Sequence, residues 1–149
     1  MYTIEEFDQL KTKILKYVIY KKRTEKEIRR KFDLIEDTNL LEDVLEHLKE
    51  IGYINDKIYI QRAMQEHMSL HNLSLKELKY KLCSKGISAD MLQDYFTENE
   101  DELETYELQS AKNICIKKCN SMNADELKQF LMKKGYQIES IKQALSEVI

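Results

Sequence analysis

Proline is absent from this sequence of 149 residues, and glycine occurs only three times. These two residues are the ones that most often interrupt helices and form tight turns. Leu, Ile, Lys and Glu are abundant instead, and no long alternation of apolar and polar residues indicates a strand. The predicted fold class is therefore all-α.

Long apolar runs are also missing, and the first six residues contain neither the basic region nor the hydrophobic region of a secretory signal. We therefore expect a cytoplasmic protein that makes no membrane contact. The sequence contains no phosphate-binding glycine loop and no Gly-x-Ser-x-Gly motif, and its carboxylates follow helix faces where solvation explains them. We predict no enzymatic activity, no catalytic residues and no cofactor.

Cysteine is scarce, since Cys83, Cys115 and Cys119 are the only three and have no zinc-ligand spacing. We expect reduced and mostly buried thiols, with Cys115 and Cys119 as small core residues one helical turn apart. His67 and His71 are four residues apart on a possible helix. No third ligand accompanies them, so surface or boundary histidines are favoured over a metal site.

The sequence does contain a helix-start pattern that occurs three times. Thr24, Ser74 and Asn123 are each followed three residues later by glutamate, which is the spacing of a capping box, and then by an apolar stripe. The copies are separated by 50 and 49 residues. Each copy is followed by a second helical pattern, so the spacing indicates tandem helical units.

We therefore predict a tandem array of three three-helix units, formed by residues 1–54, 55–98 and 99–149. Gly52 is expected to end the third helix, and Gly86 and Gly135 to end the second helix of the later units. The acidic stretch from Thr97 to Glu104 is expected to lie mostly on the first turns of the seventh helix. The nine helices are predicted to begin near Thr3, Thr24, Asn39, Asn55, Ser74, Ser88, Thr97, Asn123 and Ile138.

Charge is strongly segregated along the chain, although the net charge is only −3. From Lys11 to Lys31 there are ten basic residues and two acidic ones, whereas Met91 to Glu107 contains seven acidic residues and no Lys or Arg. A solvated helix face explains any single cation, but this density exceeds what solubility needs. We expect the basic stretch to bind an anionic partner, either a phosphate backbone or an acidic protein surface.

A winged helix-turn-helix is an alternative interpretation of residues 24–60. In that interpretation the helix from Asn39 to Ile51 would enter the DNA groove, and residues 53–60 would form a hairpin around Asn55 and Asp56. Charge argues against it, because the helix that would enter the groove carries four carboxylates and one lysine. Such a face would be repelled by the phosphates.

Three segments, residues 22–32, 44–56 and 75–87, resemble the RecX family of bacterial regulators of the RecA recombinase, and the resemblance covers most of the chain. The middle segment is the most specific. In it, Leu48 is followed four residues later by Gly52, then by two hydrophobic residues, and then by Asn55 and Asp56. The resemblance implies a non-enzymatic modulator that lies in the groove of the RecA nucleoprotein filament and contacts neighbouring protomers. Such a modulator suppresses strand exchange and ATP hydrolysis.

The resemblance implies that the partner is a RecA filament. We also expect the protein to be a monomer and to make weak nonspecific contact with DNA. The alternative is a stand-alone helical or winged-helix nucleic-acid-binding module that uses the face between Lys11 and Lys31. The candidate partner-binding residues lie in two groups of cations, one near the first helix connection and one on the fifth helix. They are Lys21, Lys22, Arg23, Arg29, Arg30 and Lys31, then Lys76, Lys79, Lys81 and Lys85.

Overall fold

The structure, a computed structural model, describes all 149 residues and contains nine helices and no strand. These helices confirm the all-α prediction and follow one another as three successive triplets. None of them is long and apolar enough to cross a membrane. The helices are α1 (Ile4–Tyr20), α2 (Glu25–Lys31), α3 (Thr38–Glu50), α4 (Asp56–Met68), α5 (Leu75–Ser84), α6 (Ala89–Glu98), α7 (Glu100–Lys118), α8 (Ala124–Lys134) and α9 (Ile138–Val148).

The chain divides into two compact units. The first unit comprises Met1–Tyr59 and Lys85–Ile87, and the second comprises Ile60–Ser84 and Ser88–Ile149. The predicted unit boundaries after residues 54 and 98 fall beside the non-helical residues that precede α4 and α7. The independence of three separate units stays a prediction.

The core of the first unit is built from one face of each of its helices. Leu10, Ile14 and Val18 recur every four residues along α1 and pack in a cluster with Val44 and other buried residues of α3. Helix α2 has only seven residues, which is too short for stability in isolation. It is held by its fully buried Ile28 and by its capping box.

The core of the second unit centres on α7. Ala111 and Cys115 of this helix are fully buried and cluster with Leu127 of α8 and Ile141 of α9. Helix α7 also buries the polar side chains of Glu107 and Ser110. A helix with both apolar and polar residues in its buried faces must contact several neighbours, and the polar groups need hydrogen-bond partners there.

The three predicted capping boxes form at Thr24, Ser74 and Asn123, and a fourth forms at Thr3, where the first helix was predicted to begin. Two of these caps have a second role because their hydroxyl groups are fully buried. In the first unit, Thr24 donates to the carbonyl oxygen of Lys85 at 2.6 Å. In the second unit, Ser74 donates in the same way to the carbonyl oxygen of Lys134 at 2.7 Å.

This double role predicts different costs for removing two caps of the second unit. Asn123→Ala removes an exposed cap and should lower the free energy of unfolding by about 1 kcal/mol. Ser74→Ala also leaves the Lys134 carbonyl without its buried donor, so we expect about 2–3 kcal/mol. Urea unfolding of both variants measures the difference, and equal losses would mean that the second hydrogen bond contributes nothing.

The structure corrects the winged-helix interpretation. Residues 53–60 do not form a hairpin, because α4 begins at Asp56 and is capped by Asn55, whose Oδ1 accepts from the Ile58 amide at 3.2 Å. The acidic stretch is also divided differently than predicted. Thr97 and Glu98 are the last two residues of α6. Asn99 separates the two helices, and α7 begins at Glu100.

The prediction of mostly buried thiols is wrong, whereas His67 and His71 are both half-buried, as expected of boundary histidines. Cys115 is buried as expected, but Cys83 and Cys119 are exposed, so most thiols are not in the core. Cys119 follows the last residue of α7 as its C-cap. His67 lies on α4, whereas His71 follows its end with a left-handed φ of 49°, so the two rings do not share one helix face.

Candidate functional site

Two of the predicted cations of the first unit, Arg23 and Lys31, lie near the ring of Tyr17 on α1. The guanidinium carbon of Arg23 lies 4.2 Å from the ring centroid, and the Lys31 ammonium lies 5.8 Å from it. The Phe32 ring meets the same ring edge-on at 6.0 Å. The negative face of an aromatic ring attracts cations, which explains why both charges lie near the Tyr17 ring. The buried Nε of Arg23 has no hydrogen-bond partner.

Lys31 and three further predicted cations, Lys21, Lys22 and Arg30, are exposed and form no ion pair within the chain. We call them, together with Arg23, the basic cluster. Three large apolar side chains accompany the cluster in sequence: Ile19 is 69% exposed, Tyr20 86% and Leu34 91%. The members of the basic cluster are Lys21, Lys22, Arg23, Arg30 and Lys31.

Arg29 differs from its neighbours because its charge is already paired. Its guanidinium donates to both carboxylate oxygens of Glu42, and the distance from Nη2 to Oε2 is 3.0 Å. Its Nε donates to Glu25 at 3.0 Å. The hydrogen bond to Glu42 raises the pKa of Arg29, and it lowers the pKa of Glu42 in return. The four-residue spacing of Glu25 and Arg29 could have indicated part of this pairing from the sequence.

Glu25 also binds Lys49 at 2.7 Å, and this position predicts a pH effect on stability. Burial raises the pKa of Glu25, but hydrogen bonds from Lys49 and Arg29 outweigh it, so its pKa lies below the ordinary 4.5. The unfolded chain therefore binds this proton more readily than the folded protein does. Stabilisation by the Glu25 carboxylate is present above its ordinary pKa and is lost as the pH falls through the depressed folded value.

We expect Glu25→Gln to have a lower thermal midpoint than the unchanged protein at neutral pH, and this difference should shrink as the pH falls below about 4.5. Asp56, whose pKa is raised by burial, is present in both proteins, so the difference between their midpoints reports on Glu25. Thermal unfolding of both proteins across the acidic range measures the effect. A difference that stays constant with pH would show that the Glu25 charge does not stabilise the first unit.

The second predicted group of cations serves packing as well as charge. The Lys79 ammonium lies 4.6 Å from the Phe96 ring centroid, and the stem of Lys76 lies against Gly135. The side chains of Lys81 and Lys85 are exposed. Lys85 belongs to the first unit and the other three to the second.

The described chemistry is that of a binding surface. No group of three or more His, Cys, Asp or Glu side chains could hold a metal ion. The basic cluster offers ammonium and guanidinium donors to carboxylates or phosphates, and the exposed apolar side chains offer area for burial in an interface. The Tyr17 ring was not among the predicted site residues, although its position six residues before Arg23 interleaves an aromatic with the cations.

The chain is similar to curated bacterial proteins over most of its length. It is 33% identical to the regulatory protein RecX of Lactococcus lactis subsp. cremoris over 150 aligned residues, which cover 92% of this chain and 55% of that protein. It is 33% identical to the regulatory protein RecX of Clostridium perfringens over 141 residues, covering 89% and 65%. The chain spans little more than half the length of the first of these relatives. No protein-family model matches it.

Solved structures show the same fold. The crystal structure of RecX from Lactobacillus salivarius superposes with a TM-score of 0.81 and 20% identity, and the match covers 98% of each chain. A second crystal structure, of a regulatory protein RecX, gives a TM-score of 0.75 and 18% identity over 95% of this chain and 73% of that one. At these identities the likeness establishes the helical architecture.

Proposed function

Because the chain belongs to the RecX family over the residues it spans, we propose that it is a non-enzymatic regulator that binds the RecA nucleoprotein filament. In this proposal it restrains the recombinase and ATPase activities of the filament. The observation that carries the proposal is the basic cluster around Tyr17, which has no counter-charge within the chain.

Electrostatic cost supports an external use for this cluster. Like charges that are close in sequence or on adjacent helix turns repel one another, and Arg23 and Lys31 both lie near the Tyr17 ring. The nearby carboxylates of Glu25 and Glu42 are engaged by Arg29 instead. An anionic partner would relieve the repulsion, and its approach would be guided by the positive field.

The exposed apolar side chains favour a protein partner over a phosphate backbone. Ile19 and Leu34 have no polar group that could bind phosphate, and both are more than two-thirds exposed. Protein interfaces combine apolar and aromatic anchors such as Tyr20 with a charged rim. The second candidate function is a helical nucleic-acid-binding module. Only the density of cations favours it, because α4 occupies the segment that would have formed the wing of a winged helix.

The experiment compares two triple variants with equal changes of charge. Lys21→Glu, Lys22→Glu and Arg30→Glu alter the basic cluster, whereas the control carries Lys57→Glu, Lys128→Glu and Lys142→Glu at exposed positions elsewhere. We expect the cluster variant to need a roughly 10- to 100-fold higher concentration for half-inhibition of the RecA ATPase, because several interface charges are reversed. The control variant should inhibit as the unchanged protein does.

Arg29 is left unchanged in this design because its replacement would break the pairs with Glu25 and Glu42. The thermal midpoint of the cluster variant should stay nearly unchanged, since exposed unpaired charges contribute little to stability. Inhibition by the unchanged protein should weaken with added salt. A cluster variant that inhibits RecA normally but loses affinity for naked DNA would overturn the proposal in favour of the nucleic-acid-binding module.

A further inference from the structure

A second basic site lies in the second unit, apart from every cation discussed so far. A groove of about 430 Å³ is bordered by the connection after α4, the last turn of α7 and the end of α8. Three lysines line it: Lys117 and Lys118 from α7 and Lys134 from α8. No aspartate or glutamate is among its lining residues.

Two of these three lysines lie near the ring of Phe130. The ammonium of Lys118 lies 5.0 Å from the Phe130 ring centroid, and that of Lys134 lies 5.7 Å from the same centroid. Lys134 has one acidic neighbour, Glu77, at 3.9 Å, which is at the outer limit of an ion pair. Two ammonium groups from different helices therefore lie near one ring, with little compensation from the chain.

The partial negative charge of helix C-termini attracts lysines and is the ordinary explanation for their presence there. This explanation is incomplete for the groove, because the carbonyl oxygen of Lys134 already accepts a hydrogen bond from the buried Ser74 hydroxyl. The groove also has an apolar wall. Leu70, which is 64% exposed, and Ile114, which is 8% exposed, are among its lining residues.

We propose that this groove binds an acidic peptide segment of a partner protein, with aliphatic side chains beside its carboxylates. The lysines would pair with the carboxylates, and the wall formed by Leu70 and Ile114 would cover the aliphatic groups. A single-stranded nucleic acid fits less well. It would stack its bases on an aromatic face, and the face of Phe130 is already near two ammonium groups.

The test uses a short fluorescent peptide that alternates glutamate and leucine, measured by polarisation with the full chain. Lys117→Glu with Lys118→Glu alters the groove, and Lys128→Glu with Lys133→Glu makes the same charge change at exposed positions outside it. We expect the groove variant to bind the peptide about tenfold more weakly, and the control variant to bind it as before. The same peptide with glutamine in place of glutamate should not bind.

A further variant keeps the test valid if the double lysine variant unfolds. Leu70→Asp places a negative charge in the groove at an exposed position, so it should weaken peptide binding without changing the far-ultraviolet circular dichroism. Three results would overturn the proposal: no binding by the unchanged chain, equal losses in groove and control variants, or tighter groove-dependent binding of single-stranded oligothymidylate. None of them bears on the RecA proposal, which concerns the first unit.

Discussion

Replacing Glu107 with alanine is expected to lower the free energy of unfolding of the second unit by about 3–5 kcal/mol. This side chain is only 1% exposed, and its two carboxylate oxygens serve two segments of backbone. Oε2 accepts from the Leu75 amide at 2.9 Å, and Oε1 accepts from the Gln137 amide at 3.0 Å. Alanine would leave both donors without a partner and open a cavity between α5 and α7.

Two controls separate the hydrogen bonds from side-chain volume and from charge. Glu107→Gln keeps the volume and one acceptor oxygen, so we expect a smaller loss than for alanine. Glu104→Ala removes a carboxylate from the exposed side of the same helix and should change stability by less than about 0.5 kcal/mol. Urea unfolding measures all three, and a Glu107→Ala loss no larger than that of Glu104→Ala would refute the bridging role.

Gly86→Ala should destabilise the first unit by about 3 kcal/mol or more, whereas Gly52→Ala should cost about 1 kcal/mol. Both glycines have a left-handed φ, of +98° and +88°, so alanine carries a conformational cost at either position. Only Gly86 is crowded as well. An added Cβ there would lie 2.6 Å from the Cβ of Lys26, which is fixed to its own backbone, whereas nothing lies within 4 Å at Gly52.

The difference between these two alanine variants isolates the close approach of Gly86 to α2. It is measured as the difference between their thermal midpoints under identical conditions. Gly135→Ala offers an independent repetition in the second unit, where the added Cβ would lie 2.9 Å from that of Lys76. If Gly52→Ala and Gly86→Ala prove equally unstable, the backbone conformation alone explains the glycines, and the contact with Lys26 has no energetic weight.

Helix positions were predictable from the sequence because their signals are local. A capping box needs only two side chains three residues apart, and those at Thr24, Ser74 and Asn123 form as expected. Apolar residues also recur at helical spacing along α1 and α3, and the structure buries them in one cluster. The glycines at the ends of α3, α5 and α8 all adopt the left-handed conformation that a helix end favours.

Pairings between distant residues could not be predicted in the same way. Glu107 looked like one of many surface carboxylates, because nothing in its local pattern shows that two amide groups surround it. Arg29 was grouped with the free cations, since its partner Glu42 lies on another helix. The exposure of Cys83 and Cys119 also depends on which helix faces meet a neighbour.

The candidate site was predictable in part. The density of cations between Lys11 and Lys31 identified the region, because charge can be counted without a structure. The role of Tyr17 in gathering Arg23 and Lys31 depends on the approach of α1 and α2, which local patterns do not specify. The contribution of each cation to partner binding stays a prediction.

Co-sedimentation with RecA filaments tests the proposed function most directly. Filaments are assembled on single-stranded DNA with a non-hydrolysable ATP analogue, and the chain is added to them and to the same DNA without RecA. We predict that the chain sediments with the filaments, sediments far less with DNA alone, and is released from the filaments when the basic cluster is reversed in charge. Failure to sediment with the filaments, or equal sedimentation with DNA alone, would contradict the proposal that this chain binds the RecA filament.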